Sequence, residues 1–352
     1  MPKIAEIFQN QVRTPIKNIS LLVLSVIFSL GLGEIFIRLC VPLRNVGPSL
    51  SVYDPYYGKR LKKNFECIRM SPEFVMHFST NSVGFRGPEP SKFPKRPILF
   101  LGDSFTMGYG VDDGKEFPEL VRKSLSKLSF NIHIPVVNIA IGDNGNGRWI
   151  KFLNKEGQRY NPRMVVIQMC SNDLSDNLRE RLFHIDHENQ LIENTNPPKT
   201  LRWTLQYLVE SVPGLDKSYL IHLLRQLEIN SLLDGFSRQQ NSSEKGDIFS
   251  KMEESKGSKL TLRLVQETVS ICKKHNWPIL AITIGFSDMP LDTKVQLTKI
   301  FTSNNISVIH IPSKQERPEL YYEVDGHWNE TGHAFVAAQV VKELPTGKEL
   351  KY

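Results

Sequence analysis

The sequence predicts a doubly wound α/β domain, a parallel sheet with helices on both faces, carried behind an amino-terminal transmembrane helix. Three observations predict it. From Pro97 onward, short apolar runs alternate with amphipathic segments. Those runs are rich in β-branched residues and do not alternate with polar ones, as strands buried on both faces require. Residues 19–33, "ISLLVLSVIFSLGLG", carry no charge.

The first element is the apolar helix. Its character resumes after residue 33 as "EIFIRLCVPL", where only Glu34 and Arg38 interrupt. Together the two runs supply about 23 residues, enough to cross roughly 30 Å of hydrocarbon. Glu34 and Arg38 stand four apart on one helical face, so they can pair while Arg38 snorkels toward the interface. Lys3, Arg13 and Lys17 precede the span and only Arg44 follows it closely. That asymmetry predicts a cytoplasmic amino terminus and an extracytoplasmic remainder, periplasmic or at the cell surface. No small-x-small cleavage site stands out, and Arg38 spoils a lipobox at Cys40.

Residues 44–94 are rich in turn formers, as in "PSLSVYDPYYGKRLKKNFECIRM" and "HFSTNSVGFRGPEP". They read as a linker and a small β-rich addition of hairpins or extended chain. The α/β domain then runs over 95–346. Its strands are "ILFL", "IPVVNIAI", "MVVIQMC", "PILAITI" and "ISVIHI". Its helices include "FPELVRKSLSKL", "RWIKFLNKEGQRY", "LRLVQETVSICKKH", "LDTKVQLTKIF" and "GHAFVAAQVVKEL". An insertion at about 180–257 interrupts the alternation. It holds a polar stretch from His184, helical segments "WTLQYLVESV" and "YLIHLLRQL", and a charged, Ser-rich run over 237–259 that reads as a mobile loop.

Composition narrows the function classes. The 352 residues are 40% hydrophobic and 23% charged, ordinary for a globular protein with a sizeable core. The net charge of +7 comes from basic residues scattered among acids, without a basic stripe, so no nucleic-acid partner is expected. Cys40, Cys67, Cys170 and Cys272 are widely spaced and form no CxxC pair, indicating neither a zinc site nor a disulfide framework.

Ligands of open α/β sheets bind at the carboxyl ends of strands, and three such loops carry unusual polar residues. They are Gly102-Asp103-Ser104, the "GDNGNG" of residues 142–147, and Ser171-Asn172-Asp173; "VDGHWNETGH" stands before the last helix. Each taken alone reads as a turn, a glycine loop, a helix cap or a surface histidine. Together they supply a serine nucleophile, a base and an orienting acid in Ser104, His327 and Asp325. Oxyanion donors are the N–H of Ser104, a backbone N–H in the glycine loop and the Asn172 amide. His333 falls in the terminal helix and is the weaker candidate base. Asp143 and Asp173 read as turn or cap residues, and Trp328 either lines the site or packs. Asn329-Glu330-Thr331 is formally a glycosylation sequon, but a glycan there would obstruct His327.

These blocks resemble the GDSL or SGNH hydrolases over about residues 96–345, and "TNSVGFRGPE", residues 80–89, is similar to membrane-anchored bacterial members. The resemblance implies a flavodoxin-like three-layer fold with Ser104 as nucleophile, His327 as base and Asp325 as orienting acid. Gly142 and Asn172 would be oxyanion donors with Ser104. Gly145 competes with Gly142, since the spacing from Asn138 is one residue shorter than in common patterns. Cys170 replaces the family's glycine in the third block, and the usual Asp-x-x-His is shortened to Asp325-Gly326-His327.

In activity, the resemblance implies a serine esterase working through an acyl-enzyme on short acyl esters, such as O-acetyl groups of envelope or exported glycans, with no metal or cofactor. The Asp-x-His-Trp segment is also similar to alginate O-acetyltransferase relatives, which keeps acyl transfer as an alternative. A noncatalytic envelope-binding protein is the remaining reading, and the intact set of Ser104, Asn172, Asp325 and His327 argues against it.

Overall fold

The computed structural model describes residues 2–43, 46–89, 96–128, 134–197, 199–226 and 244–344. Arg44 and the Ser-rich residues 237–243 lie outside them.

Helix α1 (Pro2–Cys40) contains a stretch, Lys17–Cys40, of 24 residues that is long and apolar enough to cross a membrane. Most of its large side chains are exposed, Phe28 and Leu39 among them, while Ile37 near its end is buried. Two antiparallel hairpins follow, β1 (Ser51–Asp54) with β2 (Gly58–Leu61) and β3 (Phe65–Met70) with β4 (Val75–Thr80). In β3 and β4 the exposed and covered positions alternate, the mark of strands with one face against a core.

The central sheet contains β5 (Ile98–Leu101), β6 (Val136–Asn138), β7 (Met164–Cys170), β10 (Ile279–Ile284) and β11 (Ser307–Ile311). All pairings are parallel and the spatial order is β11-β10-β7-β5-β6. Every residue of β5 and β7 is buried, which explains why their sequences show no alternation. Between them run α2 (Ser104–Met107), α3 (Phe117–Leu128), α4 (Gly147–Phe152), a wide π-type turn at Leu153–Gly157 and α5 (Gln158–Tyr160). After β7 come α6 (Asp173–Glu180), the hairpin β8 (Phe183–Ile185) with β9 (Leu191–Glu193), α7 (Leu201–Ser211), α8 (Tyr219–Gln226) and α9 (Glu244–Lys274). Helices α10 (Leu291–Ser303) and α11 (Glu330–Glu343) complete the chain order.

Two apolar cores cover the two faces. One joins Leu99, Val165 and Ile167 to Trp149 of α4, Val265 of α9 and Leu297 of α10. The other joins Ile98, Phe100 and Val166 to Val121 of α3 and Val336 of α11. The domain is therefore three-layered, and numbering its strands along the chain gives the order 2-1-3-4-5 of flavodoxin-like sheets.

Two expectations are corrected. The run over 237–259, read as a mobile loop, is helical from Glu244, because the amphipathic "LRLVQETVSICKKH" continues upstream as one helix of 31 residues. There α9 passes so close to α6 that a Cβ at Gly257 would lie 2.6 Å from the Leu174 carbonyl oxygen. The polar stretch from His184 contains most of the β8–β9 hairpin, whose strands of three residues each are too short for periodicity to reveal them.

Candidate active site

In this strand order the chain turns to opposite sides after β5 and β7, opening a crevice at their carboxyl ends. Ser104 opens α2 on that edge and is 9% exposed. The preceding Asp103 caps the helix, its Oδ1 accepting the Phe105 N–H at 2.9 Å. Gly102 has no substitute here: a Cβ would stand 2.3 Å from Thr106 Oγ1 and 2.6 Å from Gln168 Oε1. Polar residues in the strands use that space to hold α2. Gln168 of β7 accepts from Thr106 Oγ1 at 2.8 Å and the Asp103 N–H at 3.2 Å, while Asn138 of β6 donates to the Thr106 carbonyl at 2.8 Å.

His327 reaches the same place from the segment before α11. Its Nε2 lies 2.7 Å from Ser104 Oγ, and its Nδ1 lies 2.5 Å from Asp325 Oδ1. The shortened Asp-x-His spacing closes because Gly326 adopts φ +84°, a left-handed conformation open to glycine. The turn is completed by Gly326 N–H donating to the Tyr322 carbonyl and Tyr322 N–H donating to the His327 carbonyl at 2.8 Å. With Nδ1–H donating to Asp325, Nε2 is left as acceptor for the Ser104 hydroxyl, the arrangement a general base needs.

The two glycine candidates separate in space. A Cβ at Gly142 would lie 3.4 Å from Ser104 Cβ, so its backbone borders the serine. The Gly145 N–H donates to the Glu180 carboxylate at 3.0 Å, and its Cα faces Asn177. The Asn172 amide spans the crevice, 3.4 Å from Asp103 Oδ2 and 3.3 Å from Asp176 Oδ2. Those are long contacts, leaving the amide able to turn toward a stronger acceptor. Burial pushes the Asp103 carboxyl up to about 6, against the opposing pull of the Phe105 N–H and His327. Asp173 and Asp176 are raised as well, chiefly by burial.

The model of the GDSL-like lipase/acylhydrolase family matches residues 98–340, more than half of the chain and every strand of the central sheet. The chain belongs to that family. This GDSL enzyme is an ester hydrolase of the lipase/acylhydrolase type. Among solved structures it is similar to the esterase EstA from Pseudoalteromonas sp., at 13% identity and a TM-score of 0.41, covering 70% of this chain and 96% of that one. It is similar also to a lipolytic protein of the G-D-S-L family from Desulfitobacterium hafniense, at 11% identity and TM-score 0.40, covering 71% and 100%. Axe2, an acetylxylan esterase from Geobacillus stearothermophilus, matches at 14% identity and TM-score 0.41, covering 73% and 98%. No curated protein matches the chain.

Other candidates in this GDSL enzyme have different surroundings. His333 is fully buried in α11, where Nδ1 accepts the Phe117 N–H at 3.2 Å, and burial lowers it to about 3. Trp328 is buried against Phe105, Phe117 and His333. Asn329 caps α11, accepting the Gly332 N–H at 3.0 Å and donating to the carbonyls of Glu319 and Tyr321, so its amide already has structural work. Asp173 accepts the Cys170 N–H at 2.9 Å, and Asp143 sits in a turn with φ +53°.

Sequence reasoning missed the contribution of the β3–β4 hairpin. From the turn between its strands, Glu73 accepts the amides of Val324 at 2.9 Å and Asp325 at 2.6 Å, gripping the chain that carries His327. Arg86, in the "GFRG" of the following segment, is buried and donates to Asp113 at 2.9 Å, to the Val111 carbonyl at 2.6 Å and to the carbonyls of Met107 and Gly108 at the end of α2. Phe105 and Tyr109 flank the His327 ring at 4.9 and 5.0 Å between centroids. The only sequence signal for any of these was the resemblance of residues 80–89 to anchored relatives.

Proposed function

We propose that the enzyme is a membrane-anchored, extracytoplasmic serine esterase that cleaves short-chain acyl esters, with O-acetyl groups on an envelope or exported glycan as its substrate class. The observation that carries this reading is the continuous relay Ser104 Oγ to His327 to Asp325, at 2.7 and 2.5 Å. His327 Nε2 takes the hydroxyl proton as Ser104 attacks the ester carbonyl. Asp325 holds the imidazole in the useful tautomer and stabilises the imidazolium. The backbone N–H groups of Ser104 and Gly142 and the Asn172 amide receive the oxyanion, each donor supplying about 3 kcal/mol to the transition state. The proton on His327 goes to the departing alkoxide. Water, deprotonated by the same Nε2, then attacks the acyl-Ser104 ester, and as the bond to Ser104 Oγ breaks His327 returns the proton to that oxygen, freeing the acid and restoring the hydroxyl. The anchor is the Lys17–Cys40 stretch of α1, and the basic residues before it orient the enzyme domain outward.

The test is covalent labelling. A fluorophosphonate is expected to label the full-length protein on the peptide bearing Ser104, and Ser104→Ala to abolish both labelling and hydrolysis of p-nitrophenyl acetate. Wild-type turnover by Ser104→Ala would refute the assignment. Release of free acetate from an acetylated glycan supports hydrolysis, whereas acetylation of an added sugar acceptor would make the enzyme a transferase.

A further inference from the structure

Helix α8 is tied to the last turns of α1. Glu34 accepts the Ser218 hydroxyl at 2.8 Å and the amides of Tyr219 and Leu220 at 2.8 and 3.0 Å, so a carboxylate of one helix caps the amino terminus of another. Arg38 pairs with Glu34 at 3.2 Å and lies 4.6 Å from the centre of the Tyr219 ring. Ile37, Leu43 and Val46 bury against Tyr219, Leu220 and Leu223. The apolar helix is thus packed into the folded domain at its carboxyl end. At 1.5 Å per residue, about 30 Å of hydrocarbon entered at Lys17 is spent near Ile37, so Glu34 and the first turn of α8 stand at the edge of the acyl layer.

Helix α7 lies just upstream, joined to α8 through residues 212–218, and it has two unlike faces. Its inner face docks on the hairpin addition: Gln206 donates to the Ser51 carbonyl at 2.7 Å, Glu210 pairs with Lys62 at 3.1 Å, and Trp203 meets Tyr53. Its outer face carries Leu205, 39% exposed, and Leu208, 55% exposed, and Val212, in extended backbone just past the end of the helix, is 48% exposed. Leu215 of the link and Leu224 of α8 are exposed as well, and Tyr207 stands exposed on the flank of α7. A helix facing water would place polar residues there. Exposed Lys217 lies in the connecting link, with a stem and charge suited to headgroup phosphates.

We propose that the outer face of α7 and the link to α8 lie in the interfacial layer of the lipid bilayer, beside the point where α1 emerges. This rests on reading Lys17–Cys40 as a membrane span. The occupant is lipid because the stripe adjoins, through α8, the part of α1 that ends at the same boundary. Leu205, Leu208, Val212 and Leu215 enter the headgroup and upper acyl region, while Gln206 and Glu210 keep the helix on the protein. The insertion would then hold the enzyme domain at a set tilt to the membrane instead of letting it swing on a single tether.

Full-length protein in liposomes tests this, with the accessible thiols removed by Cys40→Ser and Cys67→Ser and one reporter introduced at a time. Leu208→Cys and Leu215→Cys carry an environment-sensitive nitrobenzoxadiazole group. Phe28→Cys, near the middle of the span and read with lipids carrying the doxyl group deep in the acyl chain, marks the span, and Lys299→Cys marks water. The expected result is that lipids bearing a doxyl group high on the acyl chain quench about half the emission at positions 208 and 215, while position 299 is unaffected. If position 28 is quenched and positions 208 and 215 behave like 299, the interfacial placement is overturned and the anchor stands. Blue-shifted but unquenched emission at 208 and 215 would mean a protein cover, which also overturns it. Absence of quenching at position 28 would instead overturn the span, and the placement with it.

Discussion

Asp325, Gly326 and His327 form a shorter link than the family's usual spacing, yet both imidazole nitrogens are engaged. The left-handed Gly326 makes this possible by folding the Asp325 carboxylate back onto the ring. A comparable discrimination separates Gly142 from Gly145. In sequence they are three residues apart in one loop; in space only Gly142 borders Ser104, whereas Gly145 gives its N–H to Glu180. Gly142→Ala is therefore expected to leave the thermal midpoint close to wild type, since its methyl meets Ser104 Cβ and Met107 Cε in ordinary contact, while lowering kcat by about 10-fold by crowding the space beside Ser104 that a reacting acyl group must enter. Gly145→Ala would drive a Cβ to 2.3 Å from Asn177 Oδ1, so its main effect is expected on the midpoint, at about 1–3 kcal/mol of overpacking. Kinetics on p-nitrophenyl acetate together with thermal melts check the pair, and the reverse pattern would make Gly145 the donor.

At the scale of elements, the catalytic candidates sit on short pieces that could not hold their geometry alone. Helix α2 has four residues, and Gln168, Asn138 and Arg86 pin it from β7, β6 and the hairpin addition. The segment bearing His327 is gripped by Glu73. The small β-rich unit thus holds both sides of the site, and its hydrophobic residues Phe74, Met76 and Phe78 pack with Met107, Ala140 and Ile141 beneath it. Glu73→Ala frees two backbone amides at a half-buried turn without touching substrate. It is expected to lower kcat about 10-fold with KM nearly constant and the melting midpoint little changed, as loss of orientation requires. Equal kcat in the variant and the wild type would show that the grip on residues 324–325 is ornamental to turnover.

At the scale of the whole molecule, the sheet's two covered faces set how the protein answers pH. His333 lies in the layer of α3 and α11, held neutral at about 3 first by burial, then by the nearby charges of Arg86 and His327. Its folded value is depressed, so the unfolded chain takes up a proton that the folded chain refuses. The stability it contributes is complete above pH 6.5 and is lost as pH falls from 6.5 toward 3, by about 2 kcal/mol at pH 5. Urea unfolding at pH 7 and pH 5 is expected to show that loss in wild type and a flatter response in His333→Gln, measured as a difference between the two pH values. Equal slopes would remove His333 as the source.

The amino-acid sequence by itself determined the layered α/β architecture, the long apolar amino-terminal helix and the four polar blocks. Each is written in neighbouring residues: buried strands as unbroken apolar runs, covering helices as amphipathic ones, strand ends as Gly-Asp-Ser or Ser-Asn-Asp. Strands such as Met164–Cys170 were legible because burial on both faces leaves no polar position to confuse the pattern. Only the tertiary structure decided which glycine meets Ser104, that His333 belongs to the core, that Glu73 and Arg86 brace the site, and that Glu34 seats α8 on the apolar amino-terminal helix. The β8–β9 hairpin and the upstream half of α9 also belong to this second group, since strands of three residues are too short to show a period and the charged upstream run of α9 shows little of one. The physical reason is separation along the chain. Ser104 and His327 are 223 residues apart, Glu73 and Asp325 are 252 apart, and Glu34 and Tyr219 are 185 apart. A contact of that kind comes from the packing of whole elements and leaves no period in the sequence around either partner.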